Sequence, residues 1–353
     1  MSREPSPSRA RYDAVMVVSF GGPEGPDDVM PFLENVVRGR NVPRARLEAV
    51  AEHYHHFGGV SPIGARTREL ADALRDELAR RGHALPVYVG NRHWHPMLAD
   101  TLRSMRDDGI ERALGFVTSA FSSYSGCRAY REDLAKARGS VGPGAPRVDK
   151  IRPFYDHPAL VEVWEERLRD ARTQLPADRR SDAHVLFTAH SIPLGMARGC
   201  DYEAQLEALA SLLRERLDFG TAPVVYQSRS GPPQVPWLEP DVNDALRKLA
   251  EEHPGAAVIA APIGFVADHM EVVWDLDHEA EETAKGLGLA FARATAPNAH
   301  PRFVQMAAEL VEERLDPSRP RPALGPFGVR PDRCVPGCCA PSEGRPRPSP
   351  SGP

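Results

Sequence analysis

The stretch AAVIAAPIGFVADHMEVVWDLDHEAEE (256–282) passes from an unbroken apolar run into a helical pattern. A run without polar alternation suits a strand buried on both faces of a parallel sheet. If Asp268 opens the helix that follows, then at about 100° per residue Glu271, Asp275, Glu279 and Glu282 fall within roughly 80° of it, on one stripe. Strand then helix is half of a βαβ unit, and the same alternation extends from residue 13 to about residue 315. Candidate strands lie at 13–20, 86–90, 112–120 and 147–153, and again at 183–189, 222–228, 256–263 and 289–296. The expected fold is therefore α/β: two Rossmann-like lobes, 13–150 and 151–297, each a four-stranded parallel sheet flanked by helices, with a cleft between them. Helices fit at 62–80, 97–108, 157–174, 202–217, 242–252, 268–285 and 301–315, the last in a closing segment, 298–316. Residues 1–12 read as disordered. Residues 317–353, with eleven prolines in 37 residues, read as an extended or disordered tail that contains cysteines.

Composition narrows the function. The chain has 353 residues and a net charge of −5, so it offers no basic footprint for nucleic acid. No apolar run approaches the ~18 residues of a membrane span, and MSREPSPSRARYD lacks the apolar centre of a signal peptide, so a cytoplasmic protein without integral membrane association is expected. Five cysteines, an odd number, argue against a disulfide framework; three of them crowd into CVPGCC (334–339).

Open α/β sheets bind ligands beyond the carboxyl ends of their strands. Those ends are SFGGPEGPDD (19–28), TSAFSSYSGC (118–127), TAHSIP (188–193), YQSRSGPPQVPWLEP (226–240) and APIGFVADHMEVVWD (261–275). The last three bring a histidine, an arginine and the acidic stripe toward one cleft. His190 follows an apolar strand, where imidazole can accept protons or ligate a metal near neutral pH; a histidine satisfied by neighbouring backbone is the plainer alternative. Glu271 in the same pocket would hold a proton or attract a divalent cation, and several carboxylates make a hydrated path for such an ion. A solvated helix face with acids favouring the dipole accounts for Asp268 and Glu271. It leaves Asp275, Glu279 and Glu282 on the stripe with only Lys285 nearby. GGPEGPDD has neither the glycine spacing nor the lysine of a phosphate loop, which leaves a turn that lets backbone approach a flat ligand. Pro232, Pro233 and Pro236 make either a stiff wall or a rigid surface loop.

SFGGPEGPDDVMPFLENV, HYHHFGGVSPI, SSYSGC, FTAHSIP, YQSRSGPPQVPWLEP and PIGFVADHMEVVWDLDHEA, in this order from about residue 13 to 315, resemble the ferrochelatases, which insert ferrous iron into a porphyrin. The resemblance implies the chelatase-like pair of Rossmann lobes with the macrocycle in the cleft and Fe²⁺ as substrate. It assigns His190 to the active-site histidine, Glu271 to its partner carboxylate, and Asp268, Asp275 and Glu279 to an acidic path for metal ions or protons. Phe20 stands where relatives place Tyr or Met against the ring, Tyr124 and Ser125 match a Tyr-Ser pair that touches it, and Ser61 matches a serine at the cleft mouth. His55 and His56 replace a common Arg-Arg pair, so propionate anchoring is expected to shift to Arg38 or Arg40, with Arg44 and Arg46 nearby. The same stretch is polar where membrane-bound relatives carry an apolar lip, which implies a soluble monomer.

Some ferrochelatases hold a [2Fe-2S] cluster on one mid-chain cysteine and three in a C-terminal extension. Cys127 matches the first, and Cys334, Cys338 and Cys339 supply four thiolates in all, with Cys200 in reserve. The tail spacing C-x3-C-C departs from that of animal relatives, and an unliganded tail or a zinc site is the alternative. A soluble, cluster-bearing, Ala/Arg/Pro-rich chain resembles the actinobacterial branch, which implies coproporphyrin III as substrate and coproheme as product, with protoporphyrin IX as the runner-up. The rivals are another tetrapyrrole chelatase, which would lack QSRSGPPQVPWLEP, and a non-catalytic heme or porphyrin-binding protein.

Overall fold

The computed structural model describes residues 12–231 and 233–341; residues 1–11, Pro232 and residues 342–353, with the expectations placed on them, lie outside the described residues. In chain order the elements are β1 Ala14–Ser19, α1 Val29–Val36, α2 Arg44–His56, α3 Ile63–Arg80, β2 Val87–Asn91, α4 Leu98–Asp107, β3 Arg112–Val117, a π-helical turn Tyr124–Arg128, α5 Ala129–Val141 and β4 Arg147–Lys150. There follow α6 Pro158–Gln174, β5 His184–His190, α7 Leu194–Ala197, α8 Tyr202–Arg214, β6 Val224–Gln227, α9 Val242–Glu252 and β7 Ala257–Ala261. The chain ends with α10 Met270–Trp274, a second π-helical turn Asp275–Ala280, α11 Glu281–Gly286, β8 Ala290–Arg293 and α12 Pro301–Leu315.

The chain divides into two compact units. The first holds 12–118, 131–152 and 298–323, built on a sheet of order β2-β1-β3-β4. The second holds 119–130, 153–297 and the tail from 324, built on a sheet of order β6-β5-β7-β8. Every strand pairing is parallel. Segment 119–130 thus joins the second unit, although it leaves the last residues of a first-unit strand region. Helix α12 joins the first because it packs on α3, and because Arg152, buried, meets Glu313 of α12 through two 2.8 Å bonds. A doubly bonded pair of this kind holds only while both partners are present. Tyr12, expected in a disordered segment, is buried and donates to Asp149 at 3.1 Å.

The opening stretch explains the second sheet. All five residues of β7 are buried, and wholly buried side chains such as Val258 and Ile259 each contribute roughly 1.5–3 kcal/mol. Val272, Leu276, Ala280 and Ala284, four residues apart, join Val258 and Ala260 in one apolar cluster. The residues just before them, Glu271, Asp275 and Glu279, are turned off that core. In both sheets the strand order reverses beside the first strand of the unit, between β1 and β3 and between β5 and β7. Ligands of doubly wound sheets bind at such reversals.

Candidate active site

His190 is the last residue of β5, at the second unit's reversal point. Its backbone is held on both sides: Ser191 N donates to Gln227 O at 2.8 Å, and the buried Tyr202 hydroxyl donates to His190 O at 3.0 Å. Its Nδ1 bonds the Ser191 carbonyl, which can only accept, so Nδ1 carries the proton. With Nδ1 so committed, Nε2 is the ring atom left to exchange a proton, and it lies 3.6 Å from Glu271 Oε2.

The loop after β7 reaches this point because residue 264 is glycine. A Cβ there would stand 2.6 Å from Ala189 Cβ, and Gly264 N instead donates to Thr188 O at 3.0 Å. The chain then runs extended through His269 (φ −142°) before α10 begins at Met270. Asp268, expected to open the helix and head the acidic path, is thus outside it. Its carboxylate is buried, 2.8 Å from Arg293 Nη1, and Arg293 also pairs with Asp277. Asp268 is thus held by Arg293 and out of helical register with Glu271. His269, partly buried, is held below the usual imidazole range by desolvation.

The stripe proper is Glu271, Asp275 and Glu279. Four residues of α-helix overshoot one turn, and the wider π-helical turn from Asp275 takes up that drift, so acids four apart stay in line. Glu282, the last expected member, lies beyond it and pairs with His278 Nδ1 at 3.6 Å. Gln227, wholly buried and assigned no role from sequence, ties the stripe to β6. Its amide donates to Glu271 O at 3.1 Å and to Asp275 Oδ2 at 3.2 Å, while Thr188 fixes its carbonyl at 2.7 Å. Ser228, held at φ +60°, also donates to Asp275. Arg229, expected to face the cleft, is exposed and bonds carbonyls of its own loop, Pro233 and Val235.

Burial, with help from the charges of Glu271 and Glu279, pushes the Asp275 carboxyl up to about 8 from 3.8, against the hydrogen bonds from Ser228 and Gln227. The folded protein thus keeps a proton there that the unfolded chain loses above about pH 4. Stability contributed by this group is present below that pH and is lost as pH rises toward 8. Metal-free Asp275→Asn should therefore gain thermal stability over wild type between pH 5 and pH 8.5. A melting-temperature difference constant across that range would contradict the assignment.

Tyr124 and Ser125 belong to the same unit, on the first π-helical turn. Ser123 caps it through Gly126 N at 2.9 Å, and the exposed Ser125 bonds Met196 Sδ of α7 at 3.7 Å. Buried Cys127 lies on this turn. Cys334 is hydrogen-bonded to Cys127 and Cys338, and Cys338 Sγ stands 3.5 Å from Cys339 Sγ. These bonds push Cys334 up, and burial does the same to Cys339. The four thiols touch in a line, Cys127 to Cys334 to Cys338 to Cys339; among the described residues no three or more His, Cys, Asp or Glu close on one point as metal ligands. Cys200 instead donates to Met196 O at 3.3 Å.

The first unit carries the other expected residues. Phe20, just after β1, lies 4.5 Å from the His93 ring and 6.3 Å from the Phe32 ring, centroid to centroid. Burial, then Arg92 and Arg40, hold His93 down to about 3. Ser61 is buried and donates its backbone N–H to Pro23 O at 2.9 Å. Arg38 and Arg40 are exposed beyond α1, as are His55 and His56 at the end of α2.

Residues 12–315 match the family model described as ferrochelatase. The chain is 52% identical over 339 residues to the coproporphyrin III ferrochelatase of Mycolicibacterium smegmatis, covering 93% of this chain and 99% of that one. It is 51% identical over 342 residues to the protein of the same name from Nocardia farcinica, covering 93% and 97%. It is 50% identical over 335 residues to the ferrochelatase of Rhodopirellula baltica, covering 95% of each. In fold it resembles SirB from Bacillus subtilis with Fe³⁺ (TM-score 0.54, 13% identity, 87% of this chain and 97% of that one).

Proposed function

The chain belongs to the ferrochelatase family, and from that premise we propose that it inserts ferrous iron into coproporphyrin III to give coproheme. One observation carries the chemistry: the proton-accepting Nε2 of His190 stands 3.6 Å from the carboxylate of Glu271 at the head of an acidic stripe. Metalation removes two pyrrole protons and strips water from the arriving iron. His190, its tautomer fixed by the Ser191 carbonyl, takes a proton at Nε2, and Glu271 stabilises the imidazolium that forms. Asp275 and Glu279 then relay protons outward or draw Fe²⁺ inward, their mutual repulsion being relieved when a cation is present. Phe20, Ser61, Tyr124 and Ser125 are assigned to the macrocycle, and Arg38 and Arg40 to its propionates. A ring held at its periphery can be strained so that its nitrogen lone pairs turn to one face.

Names carried by relatives about 50% identical over nearly the whole chain support the coproporphyrin reading. Among the described residues no helix is long and apolar enough to cross a membrane. The five free cysteines fit a reducing cytoplasm, where we place the enzyme, acting as a monomer. Side-by-side metalation of coproporphyrin III and protoporphyrin IX with Fe²⁺ tests the substrate. Coproporphyrin should have the higher kcat/KM, and a preference for protoporphyrin would overturn the assignment.

We assign a [2Fe-2S] cluster to Cys127, Cys334, Cys338 and Cys339, on the likeness of the cysteine set to that of cluster-bearing ferrochelatases and on the contacts that link the four thiols in a line. Once deprotonated they match the four thiolates of such a centre, which supplies one-electron redox chemistry and would tie the tail to the Tyr124–Arg128 turn. Protein purified without oxygen should be reddish-brown, and Cys127→Ser should lose the visible absorbance and the bound iron and sulfide. An unchanged visible spectrum would remove Cys127 from the ligand set.

A further inference from the structure

The described part of the tail, 324–341, lies beyond the region that the family model matches, yet it is fastened to the second unit at separate points. Leu324 N donates to Asp156 O at 3.0 Å and Gly325 N to Asp156 Oδ2 at 3.2 Å, Asp156 being fully buried. The approach is close, since a Cβ on residue 325 would lie 2.8 Å from Asp156 Oδ2 and would have to displace that carboxylate. Arg330 Nη2 then pairs with Asp201 Oδ2 at 2.6 Å, and further on Arg128 Nη1 reaches Cys338 O at 3.4 Å.

Asp201 is the N-cap of α8, and the first residue of that helix is Tyr202. The Tyr202 ring is buried edge-on against Phe121, centroids 6.1 Å apart, and its hydroxyl donates to the backbone carbonyl of His190. A continuous line of contacts thus runs from the tail through Asp201 and Tyr202 to the histidine at the end of β5. The Arg330–Asp201 pair is partly open to water, and such pairs contribute little to global stability. What it restricts is the start of α8, and through it the position of the His190 backbone.

We propose that Arg330 and Tyr202 are positioning residues for metalation: Arg330 anchors the cap of α8, and Tyr202 transmits that anchor to His190. The proposal rests on the role given to His190 above. Its effect belongs on the chemical step more than on porphyrin binding, because a base displaced by a fraction of an ångström transfers protons poorly while the ring's other contacts persist.

The experiment uses the full-length, cluster-loaded protein and compares wild type with Arg330→Ala, Tyr202→Phe and the swapped pair Asp201→Arg/Arg330→Asp. The readouts are kcat and KM for coproporphyrin III, porphyrin Kd by fluorescence quenching, and the His190 imidazole NMR resonance, assigned by its loss in His190→Ala. Arg330→Ala and Tyr202→Phe should each lower kcat by roughly three- to tenfold, the scale of one lost hydrogen bond, with Kd within about twofold and the His190 resonance shifted. The swapped pair should recover most of the loss. Should Arg330→Ala fail to fold, Tyr202→Phe, which keeps the ring, carries the test. Wild-type kcat with an unmoved resonance in Tyr202→Phe and in Arg330→Ala would overturn the proposal. If wild type itself fails to metalate, the functional reading falls, and the resonance alone decides whether the tail is coupled to His190.

Discussion

Replacing His190 by alanine should lower iron insertion by about 10³-fold, within the range of losing a general base, while coproporphyrin still binds with an affinity near that of wild type. Nδ1 is committed to the Ser191 carbonyl, so Nε2 is the atom left to accept a pyrrole proton, and a water molecule in the vacated space is a far weaker base. The fold should survive, because the residue's backbone is held by Tyr202 and its neighbour Ser191 by Gln227, none of which needs the imidazole. Steady-state metalation paired with fluorescence quenching separates the two effects. Turnover within tenfold of wild type would remove His190 from the role of base.

Glu271→Gln should cost about 10²-fold in turnover, with little change in melting temperature. The side chain is half exposed and stands at the helix start, so the isosteric amide fits; what it lacks is charge. An amide neither balances an imidazolium 3.6 Å away nor draws in Fe²⁺, and a charge-assisted contact is about twice as strong as a neutral one. Initial rates at saturating porphyrin across a range of Fe²⁺ concentrations measure the loss. Rates near wild type would reduce the stripe to a solvated helix face.

The parallel sheets were legible because buried strands such as AVIAA (257–261) read as unbroken apolar runs, and their order put the reversal point of the second sheet at His190. Three helices carried a weaker signal. In α2 only Leu47, Ala51 and Tyr54 are buried, α1 has proline in its first turn, and α5 springs directly from a π-helical turn. The acidic stripe was visible as a spacing of four, but ideal α-helical geometry drew it through Asp268 and Glu282. A π-helical turn leaves no mark in periodicity, and the pairing of Asp268 with Arg293 joins residues 25 apart in sequence. Gln227 and Tyr202 were hidden for the same reason, since each acts through a contact between distant segments. The tail, read as extended or disordered, has no apolar periodicity to show; Leu324, Phe327, Val329 and Val335 are exposed, and it is held by Asp156, Asp201 and Arg128 instead.

Anaerobic turnover with the protein limiting separates a chelatase from a porphyrin-binding protein. Fe²⁺ and a large excess of coproporphyrin III are mixed with wild type, and the porphyrin bands are followed to completion. Many equivalents of coproheme per chain are expected, at a rate that falls about 10³-fold in His190→Ala. A spectral change that stops at one equivalent of porphyrin per chain would mark a binding protein and contradict the proposed function.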